Sequence, residues 1–187
     1  LLHDKKEFQA FFRYIDYKAT DTNTEKIIRY LFDSAICANA NLEKIIAEHG
    51  IELAYCLGLI HCNNRYSITP PWVLYNFPET ERIMLLLRSK PCLTGCKYCD
   101  QALDVNKGLQ KYFGYDSYRT YAGEPLQENA VKAAVDNKSL LAVFPTGGGK
   151  SITFQVPALM AGENAKGLTV VISPLQSLMK DQVDNLE

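Results

Sequence analysis

Apolar residues recur at helical spacing through the first part of the chain. Phe8, Phe11, Phe12 and Ile15 line one face of residues 4–18, and Ile27, Ile28, Leu31, Phe32, Ala35 and Ile36 line one face of 24–38. Asn23 or Thr24 can cap the second of these helices, and Asn41 can cap a third that runs through Ile45, Ile46 and His49 to a stop at Gly50. His49 near that end suits the negative pole of the helix dipole. Residues 51–61 are continuously apolar and read equally as strand or helix. A short strand is expected over 66–68, before Thr69-Pro70-Pro71 stops any helix. Trp72 and Tyr75 read as core or interface residues, and residues 79–88 as a helix entered at Pro78.

The pattern then changes. Residues 100–112 read as a helical connector, and residues 125–137 as a helix with proline at its first turn. Residues 139–144 and 168–172 are short apolar runs of the kind that form buried strands. Between them stand a glycine-rich loop and a helix over 150–161, and Pro174 opens a further helix. Strand, loop, helix and strand in this order predict a right-handed βαβ unit in a parallel sheet covered on both faces. The expected fold class is therefore α/β, with a parallel sheet. A mostly helical small domain with a cysteine-rich metal knuckle precedes it. The expected division is an accessory domain over 1–105 and the start of the sheet lobe over 106–187.

The chain has 187 residues, 47% hydrophobic and 22% charged, which describes a folded protein and excludes wholesale disorder. A formal net charge of −1 excludes a globally basic nucleic-acid-binding surface but leaves room for a local stripe. No uncharged apolar stretch of membrane-spanning length is evident in the sequence, so no membrane partner is expected. The start, Leu1-Leu2-His3-Asp4-Lys5-Lys6, lacks the basic-then-apolar form of a secretory signal and lacks an initiator Met. The expectation is a piece of a longer cytoplasmic chain.

All six cysteines precede residue 100. In a reducing compartment, clustered cysteines more often bind metal than form disulfides. Cys92-x3-Cys96-x2-Cys99 lies beside Pro91 and Gly95, in a loop short enough to curl three thiolates around one centre. A tetrahedral ion needs a fourth ligand, for which Cys62 ranks first, then Cys56 and His61. Cys37 reads as a buried helix residue. Structural Zn2+ is the leading expectation, with an iron–sulfur cluster or ordinary reduced thiols as alternatives. The same run also resembles the three-cysteine signature of radical-SAM enzymes, but those build a barrel after the motif and here a different pattern follows.

Pro145-Thr146-Gly147-Gly148-Gly149-Lys150-Ser151 joins the first apolar run to a helix. Consecutive glycines let the main chain wrap a phosphate with its N–H groups, and the helix N-terminus adds partial positive charge. Lys150 is placed to reach the β- and γ-phosphates, and the Ser151 hydroxyl to ligate Mg2+. The strict G-x-x-x-x-G-K-[ST] form fails at its first position, Phe144; the variant present is the one found in superfamily 2 helicases and translocases.

Residues 111–187 resemble the start of the RecQ-type DNA helicase core, which implies that the α/β part is a partial RecA-like parallel sheet of the P-loop NTPase kind. Residues 113–119 (Phe-Gly-Tyr-Asp-Ser-Tyr-Arg) are similar to that family's opening motif, residues 141–151 to its motif I, and residues 171–183 to its motif Ia. The resemblance implies ATP hydrolysis coupled to 3′-to-5′ movement on single-stranded DNA, with strand separation on forked substrates. It implies that Tyr118, Arg119 and Gln127 flank the adenine. It also implies that Ser173, Pro174, Gln176, Ser177 and Lys180 touch the phosphates of the strand, donors suited to contacts blind to sequence. One departure stands out: seven residues separate Arg119 from Gln127, where the family has two.

No Asp-Glu-x-His, the acidic motif that holds Mg2+, occurs in these residues, and they contain no second lobe with an arginine finger. Phosphoryl transfer needs those charges together, so these residues alone are expected to bind nucleotide weakly and turn over little or none. The reading is part of an ATP-dependent helicase using ATP and Mg2+, with Zn2+ in the accessory domain and the bacterial nucleoid as its place of action. The alternative is a zinc-stabilised DNA- or protein-docking module attached to an ATP-driven translocase, with Arg82, Arg88, Lys90 and Lys97 forming a basic patch. The family's usual zinc module follows the motor, so the resemblance assigns no role to the cysteines here.

Overall fold

The computed structural model describes residues 24–62, 69–89, 92, 95–173, 180, 183 and 184. The helix expected over 4–18 and the strand expected over 66–68 lie outside the described residues. Among the described residues the chain forms α1 (Thr24–Phe32), α2 (Leu42–Cys62), α3 (Pro71–Asn76), α4 (Glu79–Arg88), α5 (Lys97–Ala102), α6 (Val105–Phe113), α7 (Leu126–Val135) and α8 (Lys150–Ala165).

Helix ends follow local chemistry where such chemistry is available. Asn41 caps α2, its Oδ1 accepting the Lys44 N–H at 3.0 Å. Asp104 caps α6 by accepting from the N–H groups of Asn106 and Lys107 at 2.8 and 3.0 Å. Two expected ends are overridden by packing. Helix α1 stops at Phe32, short of the predicted 38. Arg29 donates to the carbonyls of Ala38 and Ala40 at 2.9 and 2.8 Å, pinning the turn that follows. Cys37 thus sits in a loop rather than on a helix, its N–H donating to the Leu87 carbonyl at 2.8 Å. Helix α2 does not end at Gly50; it kinks at His49 (φ −141°, ψ 43°) and resumes to Cys62. Residues 51–61 are helical because Leu53, Cys56, Leu57, Leu59 and Ile60 are all buried in one apolar cluster with α4. By length and composition α2 would also pass as a membrane-crossing helix, a property it shares with core helices of this kind.

Two cores result. The first joins α1, α2 and α4 through Ile28, Phe32, Leu42, Leu57, Ile83 and Leu87. The second joins α6, α7 and α8 through Val105, Leu109, Tyr118, Val131, Val156 and Met160. Helix α8 belongs to both: its middle lies in the second core, while Ala165 at its end enters the first. There the Asn164 Nδ2 donates to the Ala102 carbonyl at 2.7 Å, fastening the end of α8 to α5.

The expected sheet is not formed among the described residues. Neither 139–144 nor 168–172 forms a hydrogen-bonded strand; among the described residues the sole ladder-type pairing is an isolated antiparallel bridge between Tyr121 and Glu124. Leu141 is 92% exposed and Ile172 93%. The physical reason is cooperativity: parallel strands are stable when neighbours flank them and helices cover both faces, and two short segments cannot supply that by themselves.

Candidate nucleotide and metal sites

The phosphate loop runs from Phe144 to the first residue of α8, Lys150. Gly147 and Gly149 adopt left-handed backbone (φ 74° and 63°) around Gly148, which does not. This alternation curls the main chain into the concavity that binds anions. A side chain would break it: a Cβ on Gly148 would lie 2.8 Å from the Pro145 carbonyl oxygen, and one on Gly149 2.8 Å from the Gln127 Nε2. Lys150 stands exposed at the mouth, and Ser151 is half-buried in the first turn of α8. Thr146 is exposed at the turn.

The upstream motif holds this loop from behind. Gln127 is buried; its Oε1 accepts the Arg119 N–H at 2.8 Å and its Nε2 donates to the Gly149 carbonyl at 2.8 Å. The Arg119 Nη1 donates to the Gly147 carbonyl at 3.1 Å. The long spacing between Arg119 and Gln127 is absorbed by a tight turn. Tyr121 and Glu124 exchange two N–H···O bonds of 2.9 Å, and Ala122 (φ 50°) and Gly123 (φ 85°) both take positive φ, as the shortest hairpin turns require. The extra residues loop out, and Gln127 returns beside Arg119. Tyr118 is not brought to the loop by its polar end. Its ring lies in the second core and its hydroxyl donates to the Val105 carbonyl at 2.7 Å; burial raises its pKa. Of the residues expected to touch DNA, Ser173 and exposed Lys180 are described, whereas Pro174, Gln176 and Ser177 lie outside the described residues.

The cysteine site departs from its expected membership. The sulfurs of Cys37, Cys92, Cys96 and Cys99 all lie within 4.8 Å of one another. Cys37 and Cys92 are 2.8 Å apart and Cys92 and Cys96 3.5 Å. Cys62, the leading candidate for the fourth place, ends α2 and is not in this group. Cys56 is fully buried, its thiol donating to the Thr80 carbonyl at 3.4 Å, and burial pushes it up to about 12. The early end of α1 is what frees Cys37 to join the others.

Main-chain N–H groups turn toward two of the sulfurs: that of Cys92 donates to Cys99 Sγ at 3.3 Å and that of Cys99 to Cys96 Sγ at 3.4 Å. At Cys96 burial opposes ionisation, but hydrogen bonds from the Ala38 and Cys99 backbone, with those of the neighbouring thiols, prevail and bring it down to about 7. Burial, then the Cys92 thiol, raises Cys37 to about 11. Four thiols converging on one point are a donor set that can hold a metal ion. Three of the four residues expected to form a basic patch are described, and each has a partner. Arg82 binds Glu79 and the His49 ring, Lys97 binds Asp33 at 2.7 Å, and Arg88 lies over the Tyr98 ring. Lys90 lies outside the described residues.

Residues 124–187 match the family model described as DEAD/DEAH box helicase. Within that class the relatives are of RecQ type. The chain is 46% identical over 88 residues to the ATP-dependent DNA helicase Q5 of Rattus norvegicus, covering 46% of this chain and 8% of that protein. It is 49% identical over 80 residues to the ATP-dependent DNA helicase RecQ of Bacillus subtilis, covering 42% of this chain and 12% of the relative. To the ATP-dependent DNA helicase hus2/rqh1 of Schizosaccharomyces pombe it is 47% identical over 60 residues, 32% of this chain and 4% of that one. The chain thus spans between 4% and 12% of the length of these relatives, and its matched part is similar to a segment of RecQ-type helicases. No solved structure matches it.

Two residues that the structure places at these candidate sites escaped sequence reasoning. Cys37 carried one usable signal, a cysteine left over beside a three-ligand hook. Tyr121, which meets the phosphate loop from the inserted turn, carried none.

Proposed function

We propose that the protein is an ATP-dependent 3′-to-5′ DNA helicase of RecQ type, with a zinc-stabilised accessory domain over 1–105 and the start of its first motor lobe over 106–187. The observation that carries this reading is the phosphate loop, curled by Gly147 and Gly149 and held from behind by Arg119 and Gln127.

In this reading the loop N–H groups and the Lys150 ammonium bind the β- and γ-phosphates of ATP. Gln127 and Arg119 fix the loop and face the adenine side, while Tyr118 supports them from the core. Ser151 would hold Mg2+, whose charge neutralises that developing on the phosphates. Ser173, Pro174, Gln176, Ser177 and Lys180 contact the backbone of single-stranded DNA, so that nucleotide state is passed to the strand through the segment that follows α8. The protein acts inside the cell, on the bacterial nucleoid. The exposed rings of Trp72 and Tyr75 on α3 favour a protein contact as a second role of the accessory domain.

Cys37, Cys92, Cys96 and Cys99 would hold the zinc. A single tetrahedral ion with bonds of about 2.3 Å sets sulfur–sulfur edges of about 3.8 Å. The observed grouping within 4.8 Å suits that size better than a cage of several irons and sulfides.

Strand separation by the full-length protein on forked duplexes tests the motor. Unwinding that needs ATP, Mg2+ and a 3′ single-stranded tail is expected; unwinding that needs a 5′ tail would refute the assigned polarity, and no DNA-stimulated ATPase would refute the motor. Elemental analysis tests the metal: one zinc per chain in colourless protein is expected, and a brown sample with visible absorption would replace zinc by an iron–sulfur cluster.

A further inference from the structure

The turn inserted between Arg119 and Gln127 places one more side chain on the phosphate loop. The Tyr121 hydroxyl donates to the Gly148 carbonyl. Its ring packs on Phe144, centroid to centroid 5.2 Å, at the position where the strict phosphate-loop pattern has glycine. With Arg119 on Gly147 and Gln127 on Gly149, three successive loop carbonyls are each held by a side chain from the same upstream segment.

The consequence follows from peptide geometry. In a trans peptide the C=O of one residue and the N–H of the next point in opposite directions, and all described peptides here are trans. Holding the Gly148 carbonyl toward Tyr121 turns the Gly149 N–H away from it. Holding the Gly149 carbonyl toward Gln127 does the same for the Lys150 N–H. The Gly148 N–H is engaged within the loop, on the Pro145 carbonyl at 3.0 Å. Two N–H donors are thus aimed out of the loop, one by Gln127 and the other by Tyr121. Glycine resists no rotation of its own, so a Gly-Gly-Gly run keeps such an orientation only if something outside it does the holding.

We propose that Tyr121 is a positioning residue of the nucleotide site: by fixing the Gly148 carbonyl, the inserted turn presets the Gly149 N–H for a phosphate oxygen of a nucleoside di- or triphosphate. The proposal rests on the nucleotide-binding reading above. It assigns a use to the insertion, which adds a third support to the two that the motif residues provide. Tyr121 makes no contact with the reacting atoms in this role. Its effect passes through the loop and acts on ligands that carry phosphate, whereas adenosine, which has none, is indifferent to it.

The test uses the full-length protein and two changes, Tyr121→Phe and Lys150→Ala, with MgADP, MgATP and adenosine as the probes. Tyr121→Phe keeps the ring on Phe144 and removes only the hydroxyl. Loss of one such bond predicts MgADP and MgATP affinity about fivefold weaker, unchanged adenosine affinity, and a raised KM for ATP with kcat largely kept. Thermal unfolding of the variant should match the parent. Parental MgADP affinity in Tyr121→Phe, while Lys150→Ala has lost it, would overturn the proposal and leave the phosphate-loop reading standing. Equal weakening for adenosine and MgADP would also overturn it, since that marks a general disturbance of the pocket. Unchanged binding in Lys150→Ala would bring down the phosphate-loop reading and this proposal with it.

Discussion

The cysteine site and the phosphate loop are built on opposite plans. The loop is assembled from seven consecutive residues whose backbone preferences already favour the required curl, and the segment that braces it lies within 30 positions upstream. The cysteine site closes only when Cys37 meets Cys92 across a sequence separation of 55. The loop is therefore a local device that keeps its curl without a hydrogen-bonded sheet beside it among the described residues. The cysteine site depends on the whole first core: on Arg29 holding the turn after α1, and on the Leu87 carbonyl receiving the Cys37 N–H. Helix α8 connects the two plans, since it begins at the loop and ends in the first core.

Breaking the proposed metal site should have the largest effect. Removing the metal by chelation, or changing Cys37→Ser, is expected to cost on the order of 5 kcal/mol, because binding energy of such a site is folding energy. Hydrogen exchange should rise across α1, α2, α4 and α5 and much less across α6 and α7. Cys62→Ser should leave one metal per chain; a metal lost in that variant and kept in Cys37→Ser would reverse the assignment of the fourth ligand.

A cavity in the first core comes next. Leu87 is fully buried, and Leu87→Ala should destabilise by about 3 kcal/mol in chemical denaturation. It should also weaken metal retention, because the cavity lets the main chain whose carbonyl receives the Cys37 N–H shift. Unchanged metal affinity in a folded Leu87→Ala protein would show that the cysteine loop is independent of the core beneath it.

On the side of the loop, Lys150→Ala should weaken MgATP binding about a hundredfold while leaving the unfolding midpoint within a degree or so, as befits an exposed side chain. A large drop in midpoint would mean that the loop is not the self-contained device described here.

The smallest expected effect is a pH dependence at the join of α6 and α8. Burial opposes ionisation of Glu163, but hydrogen bonds from Lys111 and from Tyr112 (2.7 Å for the latter) outweigh it, so its carboxyl lies below its ordinary value. A carboxyl lowered on folding contributes stability above its unfolded pKa and loses it as pH falls through the folded one. Stability should decline on the acid side of the ordinary glutamate range, and Glu163→Gln should flatten that part of the curve. An unchanged slope would place the acid sensitivity elsewhere.

Much of the helical framework was readable in advance, for reasons that differ by element. Asn41 announces a helix start because a cap acts within three residues, whereas the break that Asp104 caps inside the expected connector over 100–112 was not read from the sequence. Residues 51–61 were ambiguous because an apolar run fits a strand and a buried helix alike, and only the packing of Leu53, Leu57 and Ile60 against α4 decided between them. Cys37 was misplaced because a helical apolar pattern continues past Phe32, while the turn that ends α1 is held by an arginine bonding two carbonyls farther along. The apolar runs on either side of α8 were readable as strand sequence and yet form no ladder here, since sheet formation depends on neighbours rather than on the run itself. At the candidate nucleotide site the glycine-rich turn at a helix start was legible, whereas the contact of Tyr121 with that turn was not, because nothing in Tyr-Ala-Gly says where a looped-out ring will land.

By itself the sequence determined what acts over a few residues: the curl of Gly147 to Gly149, the placement of Lys150 and Ser151 at a helix start, and the hook of Cys92, Cys96 and Cys99. The tertiary structure alone decided which fourth sulfur completes the hook, and how Gln127 regains its place beside Arg119 after the inserted turn. It also decided which carbonyls of the loop are held. Short-range preferences are written in the backbone chemistry of neighbouring residues; contacts between distant residues exist only once burial of the two cores has fixed where those residues meet.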